Sequence, residues 1–98
     1  MEKLINGKVY NTENLVRVSF WECQKEGVKE TLFFSNENVY LLHCEGASAG
    51  YTNSYGSKTF NCEDLMILDE EDVFGWLNVH DVETLNELMS DLQMVTNV

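Results

Sequence analysis

The chain of 98 residues has no proline, and it has no Lys or Arg after Lys58. Positions 59–98 contain ten acidic residues, so most of the formal net charge of −11 lies in the second half. Such one-sided charge repels nucleic acid, phosphate-bearing substrates and anionic lipid, and it attracts cationic surfaces. The lack of basic residues after Lys58 therefore argues against direct nucleic-acid binding. It favours a small acidic protein with a cationic protein partner.

Long hydrophobic runs are also missing, because no stretch approaches the roughly 20 apolar residues of a membrane span. The first residues lead straight into strand-like sequence, without the apolar segment of a signal peptide. Cysteine is scarce. Cys23, Cys44 and Cys62 are odd in number and far apart, which suits reduced thiols better than a disulfide framework. We therefore expect a cytoplasmic protein.

The composition, 44% apolar and 11% aromatic, is typical of a globular chain, and 98 residues fit one domain covering 1–98. Asn6-Gly7 between short apolar pairs predicts a β-hairpin, because both residues tolerate the positive φ of a type I′ turn. In the strand predicted at 15–23, the alternation of side chains predicts that Val18 and Trp21 lie on opposite sides of the sheet. Four more strands are predicted, from alternation at 15–23, from β-rich runs at 28–35 and 39–44, and from a short apolar run at 65–68.

Two helices are predicted after the last strand. Asp69 should cap the first, because the acids at 70–72 suit its positive end and Leu68 with Val73 has the spacing of a hydrophobic staple. Trp76 should lie in the core, and Asp81 should cap the second helix. The fold predicted from these patterns is α+β: an antiparallel sheet of about five strands with two C-terminal helices.

One motif with a catalytic meaning occurs, since Gly46, Ser48 and Gly50 fit the G-x-S-x-G nucleophile elbow. The elbow needs a helix directly after the serine, whereas positions 51–56 have the composition of a loop. A chain of 98 residues is also too short for the α/β sheet that exposes such a serine. We therefore expect a glycine-serine loop here and no enzyme.

No metal or cofactor is expected either. The three cysteines, His43 and His80 show neither the C-x2–4-C nor the H-x3–5-H spacing by which zinc modules fix two ligands locally. Cysteine is among the most buried residue types, so core thiols are the simpler interpretation. The acid run at 69–72 lacks the alternating spacing and the glycine of a calcium loop, and a helix start accounts for it.

Two apolar features could contact a partner. Tyr51 and Tyr55 are the only large side chains of the loop at 46–57, and such amphipathic aromatics fit either loop packing or partner anchoring. A stripe on the second predicted helix fits either a core face or a homodimer contact. It consists of Val82, Leu85, Leu88, Met89 and Leu92.

The acidic residues fit either a solvated face or a functional one. Carboxylates spaced along helices and loops can imitate the phosphate rows of nucleic acid, and such a surface would occupy a groove lined by Lys and Arg. The residues predicted to bind a partner in this way are Glu63, Asp64, Glu70, Glu71 and Asp72, with Tyr51 and Tyr55 as aromatic anchors.

Four runs resemble, in the same order, a family of small acidic proteins from phages and other bacterial mobile elements. They are LINGKVYNTE at 4–13, ETLF at 30–33, VYLLHCEGA at 39–47 and ILDEEDVFGWL at 67–77. In that family the last run looks like a strand, a leucine, an acid run and a helix with a tryptophan. Some members resemble anti-CRISPR proteins that act on type II Cas9 effectors, which implies action in the cytoplasm of a bacterial host cell.

The resemblance and the acidic charge together predict a non-enzymatic inhibitor that binds a Cas9-type nuclease and blocks its nucleic-acid binding as a DNA mimic. The alternative is an acidic protein–protein adaptor of a mobile element that has no nuclease target and binds through the helix stripe. Salt sensitivity of partner binding separates the two, because only the first depends on charge.

Overall fold

A computed structural model describes residues 1–25, 27–35, 37–46 and 63–96, with side chains of the last helix described as far as position 90. The predicted hairpin consists of β1 (Glu2–Ile5) and β2 (Lys8–Asn11). At its turn, Asn6 and Gly7 have φ values of 52° and 81°, which are the positive angles that a type I′ turn requires. The hairpin prediction is confirmed.

A four-stranded antiparallel sheet follows in simple chain order. It contains β3 (Val16–Cys23), β4 (Val28–Ser35), β5 (Val39–Glu45) and β6 (Glu63–Leu68). Two helices come last, α1 (Glu70–His80) and α2 (Val82–Thr96). The predicted α+β class with two C-terminal helices is confirmed. The prediction was one sheet of about five strands. The described residues contain six strands, divided between the four-stranded sheet and the separate two-stranded hairpin.

The helices cover one face of the four-stranded sheet. Leu32 and Leu42, which are paired in register and therefore share a face, are fully buried there against α1. Trp76 is 1% exposed, so the prediction that it lies in the core is confirmed. Among the cysteines, Cys44 is a buried thiol of this core and Cys23 a half-buried thiol, and neither forms a disulfide. Cys62 lies outside the described residues.

The hairpin packs on the opposite face of the sheet. Tyr10 from β2 is buried there together with Leu41 and Leu65. Lys3 reaches the edge strand β6, where its ammonium donates to the Leu65 carbonyl over 3.1 Å. The hairpin does not extend over the whole face, because Phe20 on β3 remains 48% exposed.

A β-bulge interrupts β3 between Arg17 and Ser19. The extra residue resets the alternation, so that Val18 and Trp21 both pack against the core under the helices. The prediction that these two side chains lie on opposite sides is therefore wrong. A strict period-two pattern does not account for the residue that a bulge inserts.

Both predicted helix caps are present. The Asp69 carboxylate accepts from the backbone N–H of Asp72 at the start of α1. The Asp81 carboxylate accepts from the backbone N–H of Thr84 at 3.2 Å and from the Ser19 hydroxyl at 2.5 Å. Asp81 thereby both caps α2 and ties the helix junction to β3. No helix within the described parts of the chain is long and apolar enough to cross a bilayer.

The apolar stripe of α2 divides between core and surface. Leu85 is 8% exposed and Leu88 packs partly buried against the same core. Val82 and Met89 remain 50% and 46% exposed. The side chain of Leu92 lies outside the described residues. Part of the stripe is thus a core face, and part of it faces solvent.

Candidate functional site

The acids predicted to bind a partner fall at opposite ends of β6. Glu63 and Asp64 begin the strand, whereas Glu70, Glu71 and Asp72 form the first turn of the helix that follows it. Five residue steps of an extended strand separate Glu63 from the end of β6, roughly 17 Å. The two acidic groups are therefore separate surface features. Tyr51 and Tyr55 lie outside the described residues.

The start of α1 carries the more open of the two acidic groups. Glu70 and Glu71 are exposed, and within the described residues neither forms an ion pair. Asp72 is half-buried. The positive end of the helix dipole lies beneath these carboxylates and stabilises them. Several negative charges thus project from one rigid helical turn.

A cleft of about 440 Å³ opens beside this helical turn. Phe34, Tyr40 and Leu68 occupy neighbouring strands in one register row, so their side chains share the face next to α1. The two aromatic rings form a tilted pair with centroids 4.8 Å apart. Asn38, Asp69 and Glu70 complete the lining. The cleft therefore combines aromatic side chains with carboxylates.

The electrostatics of the cleft can be read from Tyr40. Burial raises the pKa of its hydroxyl, and the negative charge of Glu70 raises it further. The phenol therefore stays neutral and can donate a hydrogen bond, while Glu70 supplies negative charge at the same opening. Aromatic faces next to carboxylates are an environment that attracts guanidinium and ammonium groups.

The acids at the start of β6 have partners within the protein. Asp64 accepts from the Lys3 ammonium at 2.5 Å, with side chains 25% and 39% exposed. Glu63 lies 2.6 Å from Nε2 of His43. A charge that is already paired contributes less to the field in front of the surface. Glu63 and Asp64 are therefore weaker candidates for partner contact than Glu70 and Glu71.

A second polar cluster lies between α1 and the sheet. Glu30 is fully buried and accepts from the indole N–H of Trp76 at 2.9 Å. His80 lies between Trp21 and Trp76, with ring centroids 4.6 and 4.9 Å away. Burial lowers the pKa of His80, and the nearby Glu30 carboxylate partly offsets that effect. The hydrogen bond and the ring contacts of this cluster join α1 to the sheet.

The two aromatic residues of the cleft were not among the predicted site residues. Their pairing could have been predicted, because the short connection at 36–38 sets Phe34 opposite Tyr40 in an antiparallel hairpin. The contribution of Asp69 and Glu70 to the same cleft depends on how α1 leaves β6, which no local pattern shows.

No family model, curated protein or solved structure matches this chain. The cleft beside α1 is open, lined by aromatic side chains and carboxylates, and suits a cationic side chain.

Proposed function

We propose that this protein is a non-enzymatic inhibitor that binds a Cas9-type nuclease in a bacterial host and blocks its nucleic-acid binding. The observation that carries the proposal is the exposed acidic turn of α1 beside the cleft of Phe34 and Tyr40. Glu70 and Glu71 have no cationic partner among the described residues. The resemblance to mobile-element proteins, some of them similar to anti-CRISPR proteins, suggests the class of target.

The chemistry of the cleft favours an arginine from the partner. A guanidinium can stack on an aromatic face and at the same time form paired hydrogen bonds with a carboxylate. Nucleases of the Cas9 type read the PAM with arginines and hold duplexes in positively charged channels. An arginine that binds between Tyr40 and Glu70 cannot contact a base or a phosphate at the same time, so binding would exclude nucleic acid.

The net charge of −11 supports the approach to such a target. Long-range attraction between a negative surface and a basic groove raises association rates by about 10 to 1000-fold, and salt weakens it. The orientation of the complex would come from the acidic turn, because Glu70 and Glu71 project from a helix and form no ion pair within the described residues.

A matched pair of charge reversals tests the proposal. Glu70→Lys with Glu71→Lys alters the acidic turn, and Glu13→Lys with Glu22→Lys changes the net charge equally at exposed positions elsewhere. We expect the first pair to slow association with guide-loaded Cas9 about tenfold or more and the second to slow it far less. Biolayer interferometry at two salt concentrations measures both. Equal effects of the two pairs would show that only total charge matters.

Two further measurements address the cleft and the step that is blocked. Tyr40→Leu removes the aromatic face and the hydroxyl, so we expect faster dissociation with little change in the association rate. Target duplex bound to the nuclease beforehand should prevent binding of the inhibitor. Undiminished binding to the duplex-occupied enzyme would contradict nucleic-acid mimicry, and binding to no effector at all would contradict the choice of target.

The exposed apolar residues of the helices favour the second candidate function, an adaptor that binds another protein of the mobile element. Val79 at the end of α1 is 74% exposed, and Val82 and Met89 of α2 are about half-exposed. An adaptor that uses this surface would bind its partner equally well at high salt, and Met89→Lys would abolish binding. Those two results together would favour the adaptor over the inhibitor.

A further inference from the structure

Three potential metal ligands converge on the hairpin side of the four-stranded sheet. His43 and Glu45 are two residues apart on β5 and therefore point to the same face. Glu63 is paired with Glu45 in register on β6. Because of this placement, one ligand atom from each of the three residues lies within 4.8 Å of the other two.

The three side chains differ in exposure in a way that suits ion binding. The imidazole of His43 is only 10% exposed and is held by the sheet. The carboxylates of Glu45 and Glu63 are 42% and 41% exposed, so they can rotate. They lie on the two sides of the ring, with Glu63 at 2.6 Å from Nε2 and Glu45 at 3.8 Å from Nδ1. One fixed nitrogen and two movable carboxylates form the cluster.

We propose that His43, Glu45 and Glu63 bind a divalent transition-metal ion of the zinc class. Zinc accepts histidine nitrogen and glutamate oxygen at about 2.0–2.2 Å, which places neighbouring ligand atoms of a tetrahedral site roughly 3.4 Å apart. One ion binds one ring nitrogen, so the half-exposed carboxylate beside the other nitrogen has to rotate toward it to reach that spacing. Three protein ligands leave a fourth position for water, and the imidazole disfavours magnesium and calcium, which prefer oxygen ligands.

The charges of the cluster balance when such an ion binds. Two ionised glutamates and a neutral imidazole carry two negative charges, which a divalent ion neutralises. The nearest cation in register, Lys29 opposite Glu45, places its ammonium 5.4 Å from the centroid of the Phe20 ring and forms no ion pair with Glu45. No lysine therefore competes for the carboxylates within the described part of the chain.

The ion would join two strand ends. Glu45 is the last residue of β5 and Glu63 is the first residue of β6, so the chain between them starts and ends at the cluster. An ion that binds only the folded protein raises its apparent stability by mass action. Zinc should therefore raise the unfolding temperature, and it should do so through residues unrelated to the acidic turn of α1.

Titration of the full chain with zinc chloride tests the site. Isothermal calorimetry should give one ion per chain, and thermal unfolding should shift upward with zinc but far less with magnesium or calcium. We expect Glu63→Gln and His43→Gln each to weaken the affinity about tenfold or more, since even changes outside the first ligand shell cost 10 to 100-fold. The half-exposed Glu63 allows a test that does not depend on how the buried His43 tolerates substitution.

Two controls exclude other binding modes. Glu71→Gln removes one carboxylate of the exposed acidic turn and should leave the zinc affinity unchanged. The absorption spectrum with cobalt in place of zinc should lack a thiolate charge-transfer band, because the proposed ligands contain no sulfur. The proposal is overturned by equal zinc binding in wild type and Glu63→Gln, by an equal loss in Glu71→Gln, or by a thiolate band that assigns the ion to cysteine.

Discussion

The two faces of the four-stranded sheet differ in what covers them. Away from the cleft of Phe34 and Tyr40, the helix side is buried: Leu32, Leu42 and Cys44 are fully buried, and the acidic Glu30 has a hydrogen-bond partner in Trp76. The hairpin side is only partly covered. There Phe20 is 48% exposed, and the ammonium of Lys29 lies over its ring at 5.4 Å from the centroid.

This difference indicates which parts of the surface can bind a partner or an ion. A buried carboxylate must have its hydrogen bonds satisfied, so Glu30 stabilises the fold and is not available to a ligand. On the hairpin side, the glutamates next to His43 remain about 40% exposed and can exchange one partner for another. Stability should therefore depend mainly on the first face and ligand binding on the second face and on the start of α1.

The largest expected effect is the loss of Trp76. Trp76→Ala removes an indole that is 1% exposed, and we expect a cost of about 3–5 kcal/mol in the free energy of unfolding. Phe20→Ala on the other face should cost about 1 kcal/mol or less, because that ring is half in solvent. Urea unfolding followed by circular dichroism measures both. Similar costs for the two variants would remove the proposed difference between the faces.

The next effect concerns the hydrogen bond of Glu30. Trp76→Phe keeps most of the buried ring but removes the indole N–H, which leaves a fully buried carboxylate oxygen without that donor. We expect a cost of about 1–3 kcal/mol. Trp21→Phe is the control for ring size, because Trp21 is a partly buried indole that packs against the same core. If the control cost as much, the loss would come from ring size and not from the hydrogen bond.

Much of the fold could be predicted from the sequence, because its local signals agree with the tertiary structure. Asn6-Gly7 requires the positive φ angles that it adopts, and Asp69 caps the helix that its spacing predicted. The bulge in β3 could not be predicted, since an inserted residue depends on pairing with β4. The burial of Glu30 was missed for a similar reason, because its hydrogen-bond donor Trp76 lies 46 positions later in the chain.

The candidate site was predictable only in part. The charge pattern directed attention to Glu70 and Glu71, and these residues are exposed at the start of α1. The pattern could not show that Asp64 pairs with Lys3, 61 positions earlier, or that Glu63 lies beside His43. Such contacts depend on which strand lies next to which, and a run of acids in the sequence contains no information about them.

The free energy of unfolding should depend on pH through Asp81, which lies at the junction between the sheet and the helices. Hydrogen bonds from Ser19 and Thr84 lower the pKa of Asp81. Because the folded pKa is below the unfolded value of about 4, the ionised carboxylate adds stability above that pH and loses its contribution as the pH falls through the folded pKa.

Asp81→Asn tests this dependence, because asparagine caps a helix about as well but does not ionise. The variant should be roughly 1 kcal/mol less stable than wild type at pH 7, since hydrogen bonds to a charged group are stronger. The gap should narrow as the pH falls below about 4. Urea midpoints measured at several pH values give the comparison, and a gap that stays constant with pH would contradict an ionised Asp81.

The smallest expected effect is at the attachment of the hairpin. Lys3→Gln removes the ion pair with Asp64, whose members are partly exposed, and we expect a cost of about 0–1 kcal/mol that disappears in high salt. Lys8→Gln, which breaks the more exposed pair with Glu37, is the control and should cost no more. A loss above about 2 kcal/mol in Lys3→Gln would mean that its bond to the Leu65 carbonyl holds the hairpin in place. The hairpin side would then depend on a polar contact as strongly as the helix side depends on Trp76, and the contrast between the two faces would not hold.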